Sequence, residues 1–143
     1  MTKKPGTLYI VATPIGNLED ITLRALRILR QVDLIAAEDT RHTRKLLTAH
    51  DIHRPLISYH EHNKHTQGPR LIRELMTGKS VALVTDAGTP GVSDPGIDVV
   101  RLAVSQDIQV SPIPGPSAVT TALTVAGLPM QPFLFLGYPP NRP

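Results

Sequence analysis

Short apolar runs alternate with helix-like segments along this sequence, and polar or glycine-rich residues follow each run at once. Thr7–Thr13, Asp33–Glu38, Pro55–His60, Ser80–Thr85, Gln109–Pro114 and Phe133–Gly137 read as strands. Their apolar character is nearly continuous, as in strands covered on both faces. Between them, Ile21–Val32 places Ile21, Ala25, Ile28, Leu29 and Val32 on one helical face. Thr40–Ala49 reads as a short helix. Pro69 is expected in the first turn of a third helix, which runs past Leu71, Leu75 and Met76 and ends at Gly78. Two more helices are expected at Gly96–Ser105 and Ser117–Ala126, and the prolines of the fifth run predict a short strand there. The alternation predicts an α/β fold, a mostly parallel sheet with helices on both faces. Ligands of such sheets sit at the carboxyl ends of the strands.

Composition removes several function classes. The chain has 143 residues, enough for one domain, and 41% of them are hydrophobic, enough for a core. It has no cysteine, which excludes disulfides, zinc–thiolate sites and cysteine nucleophiles. Two Phe, three Tyr and no Trp disfavour an RNA-binding sheet that stacks bases on exposed aromatics. No apolar run reaches the roughly 18 residues of a membrane span. The opening Met1-Thr-Lys-Lys-Pro5 has no apolar signal core, so a cytoplasmic location without membrane attachment is expected. The net charge of +3 is compatible with a polyanionic partner.

The chemistry-bearing residues collect after the strands. Thr13-Pro-Ile-Gly-Asn-Leu-Glu-Asp20 follows the first, Glu38-Asp-Thr-Arg-His-Thr43 the second, and His60-Glu-His-Asn63 the third. Asp86-Ala-Gly-Thr-Pro-Gly-Val-Ser-Asp-Pro-Gly96 follows the fourth, and Pro114-Gly-Pro-Ser-Ala118 the fifth. In a parallel sheet all of these meet at one edge. The segment 86–96 holds three glycines, two prolines and two aspartates. Glycine allows close backbone approach to a ligand, and proline stiffens the turn. Capping of the following helix by Ser93 or Asp94 is expected as well, but a cap alone needs far less. Neither a G-x-G-x-x-G after the first strand nor a P-loop is present.

Together the segments Thr13–Thr22, Ala37–Thr43, Asp86–Gly96 and Pro114–Ala118 resemble the tetrapyrrole-methylase-like superfamily, in the N-terminal domain of its RNA-modifying branch. The resemblance runs from about Thr7 to Gly137. Where the superfamily usually has Gly-Asp-Pro, this chain has Gly88-Thr-Pro90, a departure that suits the RNA-modifying branch. The resemblance implies an N-terminal domain over residues 1–137. It also implies a linker beginning at 138–143 and a second α/β domain that closes over the cofactor. That cofactor would be S-adenosylmethionine, with no metal. Pro14, Ile15 and Gly16 would line one side of its site, and Asp86, Ala87, Gly88, Thr89, Pro90 and Val92 another. Ser117 and Ala118 would form a third contact. For Ile15, Val92 and Ala118 ordinary packing competes with this role.

The implied reaction is methylation of the ribose 2′-oxygen of a cytidine in the decoding centre of 16S ribosomal RNA. The small ribosomal subunit would be the partner, and the full-length protein a homodimer. A ribose hydroxyl attacks poorly until its proton is removed, so a carboxylate or histidine must lie nearby. Glu38, Asp39, His60, Glu61 and His62 are the candidates. Helix capping is an equal reading of Asp39, and solvent exposure competes for the histidines. His60-Glu61-His62 alone does not make a metal-ligand set. Arg41, Arg44 and Lys45 are expected to bind phosphate, whereas Arg24, Arg27 and Arg30 form a stripe that reads better as a solvated face. The alternatives are methylation of a tetrapyrrole precursor, or a non-catalytic module that binds RNA or nucleotides. The 143-residue chain is expected to fold but to methylate RNA poorly without the second domain.

Overall fold

A computed structural model describes residues 3–141. The first five apolar runs form strands β1 (Thr7–Val11), β2 (Leu34–Ala37), β3 (Leu56–Ser58), β4 (Val81–Val84) and β5 (Gln109–Ile113). They pair in the order β3-β2-β4-β1-β5, with every pairing parallel. The register sets Leu8 against Val81 and Val110, and Leu34 also against Val81. The helices are α1 (Leu23–Gln31), α2 (Thr40–Ala49), α3 (Lys64–Met76), α4 (Gly96–Ser105) and α5 (Ala118–Val125).

Two cores flank the sheet because successive strand residues point to opposite faces. Val11, Ile35, Ala37, Ala82 and Val84 pack with Ala25, Ile28 and Leu29 of α1 and Leu47 of α2. Leu8, Leu34, Ala36, Val81 and Leu83 pack with Leu71 and Leu75 of α3 and Val99 and Ala103 of α4. The central strands β2 and β4 are buried throughout, which explains their unbroken apolar sequence. Pro112, without an N–H, is tolerated on the edge strand β5. The Thr22 hydroxyl caps α1 by accepting from the Ala25 amide at 3.0 Å.

Three local expectations are corrected. Phe133–Gly137 is not a strand: it pairs with nothing, and Leu134 and Leu136 are 79% and 85% exposed. An apolar run becomes a strand only where a sheet edge offers a ladder. This run instead lies beside α5, where Phe133, Leu134, Phe135 and Tyr138 share an open groove with Ala118, Val119, Ala122 and Leu123. Pro69 is not in the first turn of α3 but its sixth residue. The helix starts earlier because Asn63 organises the turn before it, accepting from the His60 amide at 2.8 Å and donating to the Ser58 hydroxyl at 2.9 Å. Gly68, packed against Leu102 and Tyr59, relieves the crowding that proline imposes on its predecessor. Neither Ser93 nor Asp94 is the N-cap of α4; Pro95 is. Of the linker expected at 138–143, Arg142 and Pro143 lie outside the described residues, as do Met1 and Thr2.

Candidate functional site

Because every strand is parallel, all five segments singled out in the sequence emerge at one edge. From β1 the chain crosses to β2 on one side of the sheet, and from β4 it crosses to β5 on the other. β1 and β4 are neighbours, so the crevice between their carboxyl ends is the topological switch point. The loops after these two strands are joined there. Thr13 and Gly88 exchange two backbone hydrogen bonds of 3.0 Å. Gly88 has φ +81°, a left-handed conformation that side chains resist.

Above this bridge lies an open cavity of about 410 Å³. Ile15 enters from the first loop, Glu38 from the end of β2, and Ser117 and Ala118 from the start of α5. Asp86, Ala87, Gly88, Thr89 and Val92 supply the longest wall. Three residues expected at the site lie elsewhere. Pro14 lines a separate cleft of about 40 Å³ with His42 and Asp86. Pro90 is buried beside a small void that it shares with Tyr59 and Pro95. Gly16 is exposed in its turn and lines none of these spaces.

Sequence reading missed Thr85, Ser93, Asp94, Val119 and Tyr138, which also line the cavity. Ser93 and Asp94 sat within the ligand loop but read as caps, and Thr85 as a strand end. Tyr138 carries no local signal, because only the return of the chain past α5 brings it here. Asp94 organises the loop: its Oδ1 accepts from the Gly91 amide at 2.7 Å and the Gly96 amide at 2.8 Å. The Tyr59 hydroxyl ties the loop to β3 by donating to the Pro95 carbonyl at 2.9 Å. Burial first, then the charge of Asp98, pushes that phenol up to about 12.

Three acidic residues line the cavity: Asp94, whose carboxylate is bound to the loop amides, and Glu38 and Asp86. Glu38 Oε2 accepts from the Thr85 hydroxyl at 2.7 Å and from the Asp86 amide at 3.5 Å. Asp86 Oδ1 accepts from the Asp39 amide at 3.1 Å. Burial, and then the charge of Glu38, holds the Asp86 carboxyl above its ordinary range. Asp39 does not line the cavity; it caps α2, with Oδ1 accepting from the Arg41 amide at 2.9 Å and the His42 amide at 3.4 Å. Those amides, Arg41's foremost, keep its carboxyl below the ordinary range, with the Arg41 guanidinium assisting from 3.6 Å.

His60, Glu61 and His62 stand at the β3 edge, and none lines the cavity. The His60 and His62 rings meet edge to face at 5.9 Å. Glu61 is paired with Lys64 at 2.8 Å, and Lys64 also reaches Asp98 at 3.0 Å. Arg41, Arg44 and Lys45 project from α2 into solvent. Among the described residues, no group of three or more His, Asp or Glu is placed to hold a metal ion, and no helix is long and apolar enough to cross a membrane.

Comparison with known proteins agrees with this architecture. The chain is 57% identical over 137 residues to ribosomal RNA small subunit methyltransferase I of Halalkalibacterium halodurans, covering 96% of this chain and 47% of the relative. It is 56% identical to the protein of that name from Xylella fastidiosa, over 97% of this chain and 51% of the relative. The chain thus spans about half the length of the curated relatives it matches. Among solved structures, uroporphyrin-III-C-methyltransferase from Thermus thermophilus superposes with a TM-score of 0.66 at 26% identity, over 87% of this chain and 54% of that one. The family model for Tetrapyrrole (Corrin/Porphyrin) Methylases matches residues 7–134, nearly the whole sequence, and the chain belongs to that family.

Proposed function

We propose that this chain is the cofactor-holding half of an S-adenosylmethionine-dependent methyltransferase acting on small-subunit ribosomal RNA. The observation that carries this reading is the cavity built at the switch point around the Thr13–Gly88 bridge, with the Glu38 and Asp86 carboxylates on its wall. The RNA substrate is preferred to a tetrapyrrole because the relatives named for ribosomal RNA are 56–57% identical, against 26% for the uroporphyrin enzyme.

The donor set fits S-adenosylmethionine. Gly88 leaves the floor open, with only Ile15 and the Pro116 carbonyl within 4 Å of where a Cβ would stand. The Thr89 and Ser117 hydroxyls suit polar groups of the ligand, and Ile15, Val92 and Ala118 suit its apolar ring faces. The Glu38 and Asp86 carboxylates suit a positively charged sulfur centre. When bound, S-adenosylmethionine supplies a methyl group already activated for displacement. The work left to the protein is alignment of the acceptor and removal of its proton. Glu38 takes that proton from the ribose 2′-hydroxyl of a decoding-centre cytidine as the new oxygen–carbon bond forms. Asp86 keeps the surroundings negative. Asp39 holds α2, and with it Arg41, Arg44 and Lys45, against the RNA backbone.

A second domain completes the site. α5 buries none of its residues; its last, Val125, and Leu128, Leu134 and Leu136 after it are 69–85% exposed. The remaining length of the relatives would cover this apolar face. The test is transfer of labelled methyl groups to small ribosomal subunits by a protein of the relatives' full length that carries this sequence. Label at a cytidine that resists alkaline cleavage is expected. Label on a base, or none, would overturn the reading.

A further inference from the structure

We infer that Thr85 is a positioning residue for methyl transfer, fixing one oxygen of Glu38 so that the other is presented to the acceptor hydroxyl. This rests on the proposal that Glu38 is the proton acceptor.

Thr85 follows directly on β4, whose Val81–Val84 are all apolar and buried. Thr85 is itself buried, at 8% exposure, where a valine would fit the run and avoid desolvating a hydroxyl. The hydroxyl is spent on a single acceptor, Glu38 Oε2 at 2.7 Å. A bond to an ionised group at that distance is strong and directional. The Asp86 amide approaches the same oxygen at 3.5 Å. Among the described residues Glu38 Oε1 has no hydrogen-bond partner, while Glu38 lines the cavity.

Thr85 is held in turn. Its carbonyl accepts from the buried Thr13 hydroxyl at 3.3 Å, just before the bridge that joins Thr13 to Gly88. The chain Thr13–Thr85–Glu38 therefore crosses the ends of β1, β4 and β2, three adjacent strands. It locks the proton acceptor to the frame that shapes the cavity floor. A carboxylate on a free rotamer would present either oxygen over a range of angles, and a misplacement of about 1 Å can cost on the order of a hundredfold in rate.

The test is a double-mutant cycle in a protein of the relatives' full length. The variants are Thr85→Val, Thr85→Ser, Glu38→Gln, and Thr85→Val combined with Glu38→Gln, followed by single-turnover methyl transfer at saturating cofactor. Thr85→Val is expected to slow the step roughly ten- to hundredfold, and Thr85→Ser to restore most of it. In the Glu38→Gln background, Thr85→Val should change the rate less than about twofold, because it acts only through the lost carboxylate. Calorimetry should show that Thr85→Val loses far less in cofactor affinity than in rate. The carboxyl-carbon resonance of Glu38 should move in Thr85→Val and return in Thr85→Ser. Full multiplication of the two losses, a parallel fall in cofactor affinity, or an unmoved Glu38 resonance would overturn the role of Thr85. A normal rate in Glu38→Gln alone would overturn the proton-acceptor proposal instead.

Discussion

Gly88→Ala separates a conformational cost from a ligand cost at the floor of the cavity. A Cβ at residue 88 would stand 3.5 Å from Ile15 Cγ2 and 3.8 Å from the Pro116 carbonyl, both ordinary contacts. Steric clash therefore contributes nothing, and the penalty comes from holding an L-residue at φ +81°. A left-handed residue costs roughly 1–2 kcal/mol. For a domain of this size the entropy of unfolding converts about 1 kcal/mol into about 3 °C, so the melting temperature should fall by roughly 3–6 °C. Gly6→Ala makes the contrast, because its Cβ would lie 1.9 Å from the Lys79 carbonyl and backbone must move. Gly6→Ala should therefore melt well below Gly88→Ala while its cavity stays chemically intact. For the ligand the order reverses: a methyl group on the floor should weaken S-adenosylmethionine binding at least tenfold, and Gly88→Val more. Calorimetry and thermal denaturation on the same samples make the comparison. Unchanged affinity in a folded Gly88→Ala would refute the assignment of this loop to the cofactor. A melting loss far beyond 10 °C would refute the conformational origin of the cost.

Thr22→Ala removes the hydrogen bond that caps α1 and should cost about 1 kcal/mol in denaturant unfolding, with no effect on ligand affinity. Tyr59→Phe leaves the buried Pro95 carbonyl without its donor and should cost about 1–3 kcal/mol, with faster amide exchange in the 86–96 loop as the second readout. Asp86 has a raised folded value, so its charge opposes folding at neutral pH; its favourable contribution is complete below the ordinary 3.8 and is lost as pH rises through the raised value. Asp86→Asn should therefore melt above the parent at pH 7, and the gap should close as pH falls toward 4. Arg41→Ala with Arg44→Ala should reduce the slope of log affinity for RNA against log salt by about one unit for each phosphate that is no longer neutralised, and an unchanged slope would assign both arginines to solvent.

The sheet was legible because two kinds of signal coincided in its elements. Val81–Val84 is an unbroken apolar run, as a central parallel strand must be, and Ala25, Ile28 and Leu29 repeat at helical spacing. Phe133–Gly137 shows the limit of that reasoning: apolar content alone does not reveal whether an edge will be available for pairing. That residues 86–96 form a shaped loop rather than a plain turn was legible because glycine and proline carry local conformational meaning. The division of labour among carboxylates was not. Glu38 and Asp39 are adjacent in sequence, yet one turns into the cavity while the other satisfies the first amides of α2. The Glu38 carboxylate is held by the Thr85 hydroxyl and the Asp39 backbone amide by Asp86, each 47 residues further along. Tyr138 and Val119 reach the cavity through tertiary approach alone, for which no spacing rule exists.

The strand order carries a consequence for how the molecule assembles as it is synthesised. β4 lies between β1 and β2, so these two strands have no ladder to share until residues 81–84 have left the ribosome. β2 and β3 pair directly and can meet early, but β1 must wait through some seventy residues of chain with Leu8 and Val11, wholly buried in the finished fold, still in water. Closing so long a loop is entropically costly before any contact rewards it, and sheets of this connectivity fold slowly. The nascent chain therefore passes through a stage in which its first strand is apolar, unpaired and exposed. That is the stage at which chaperone capture or aggregation would compete with folding.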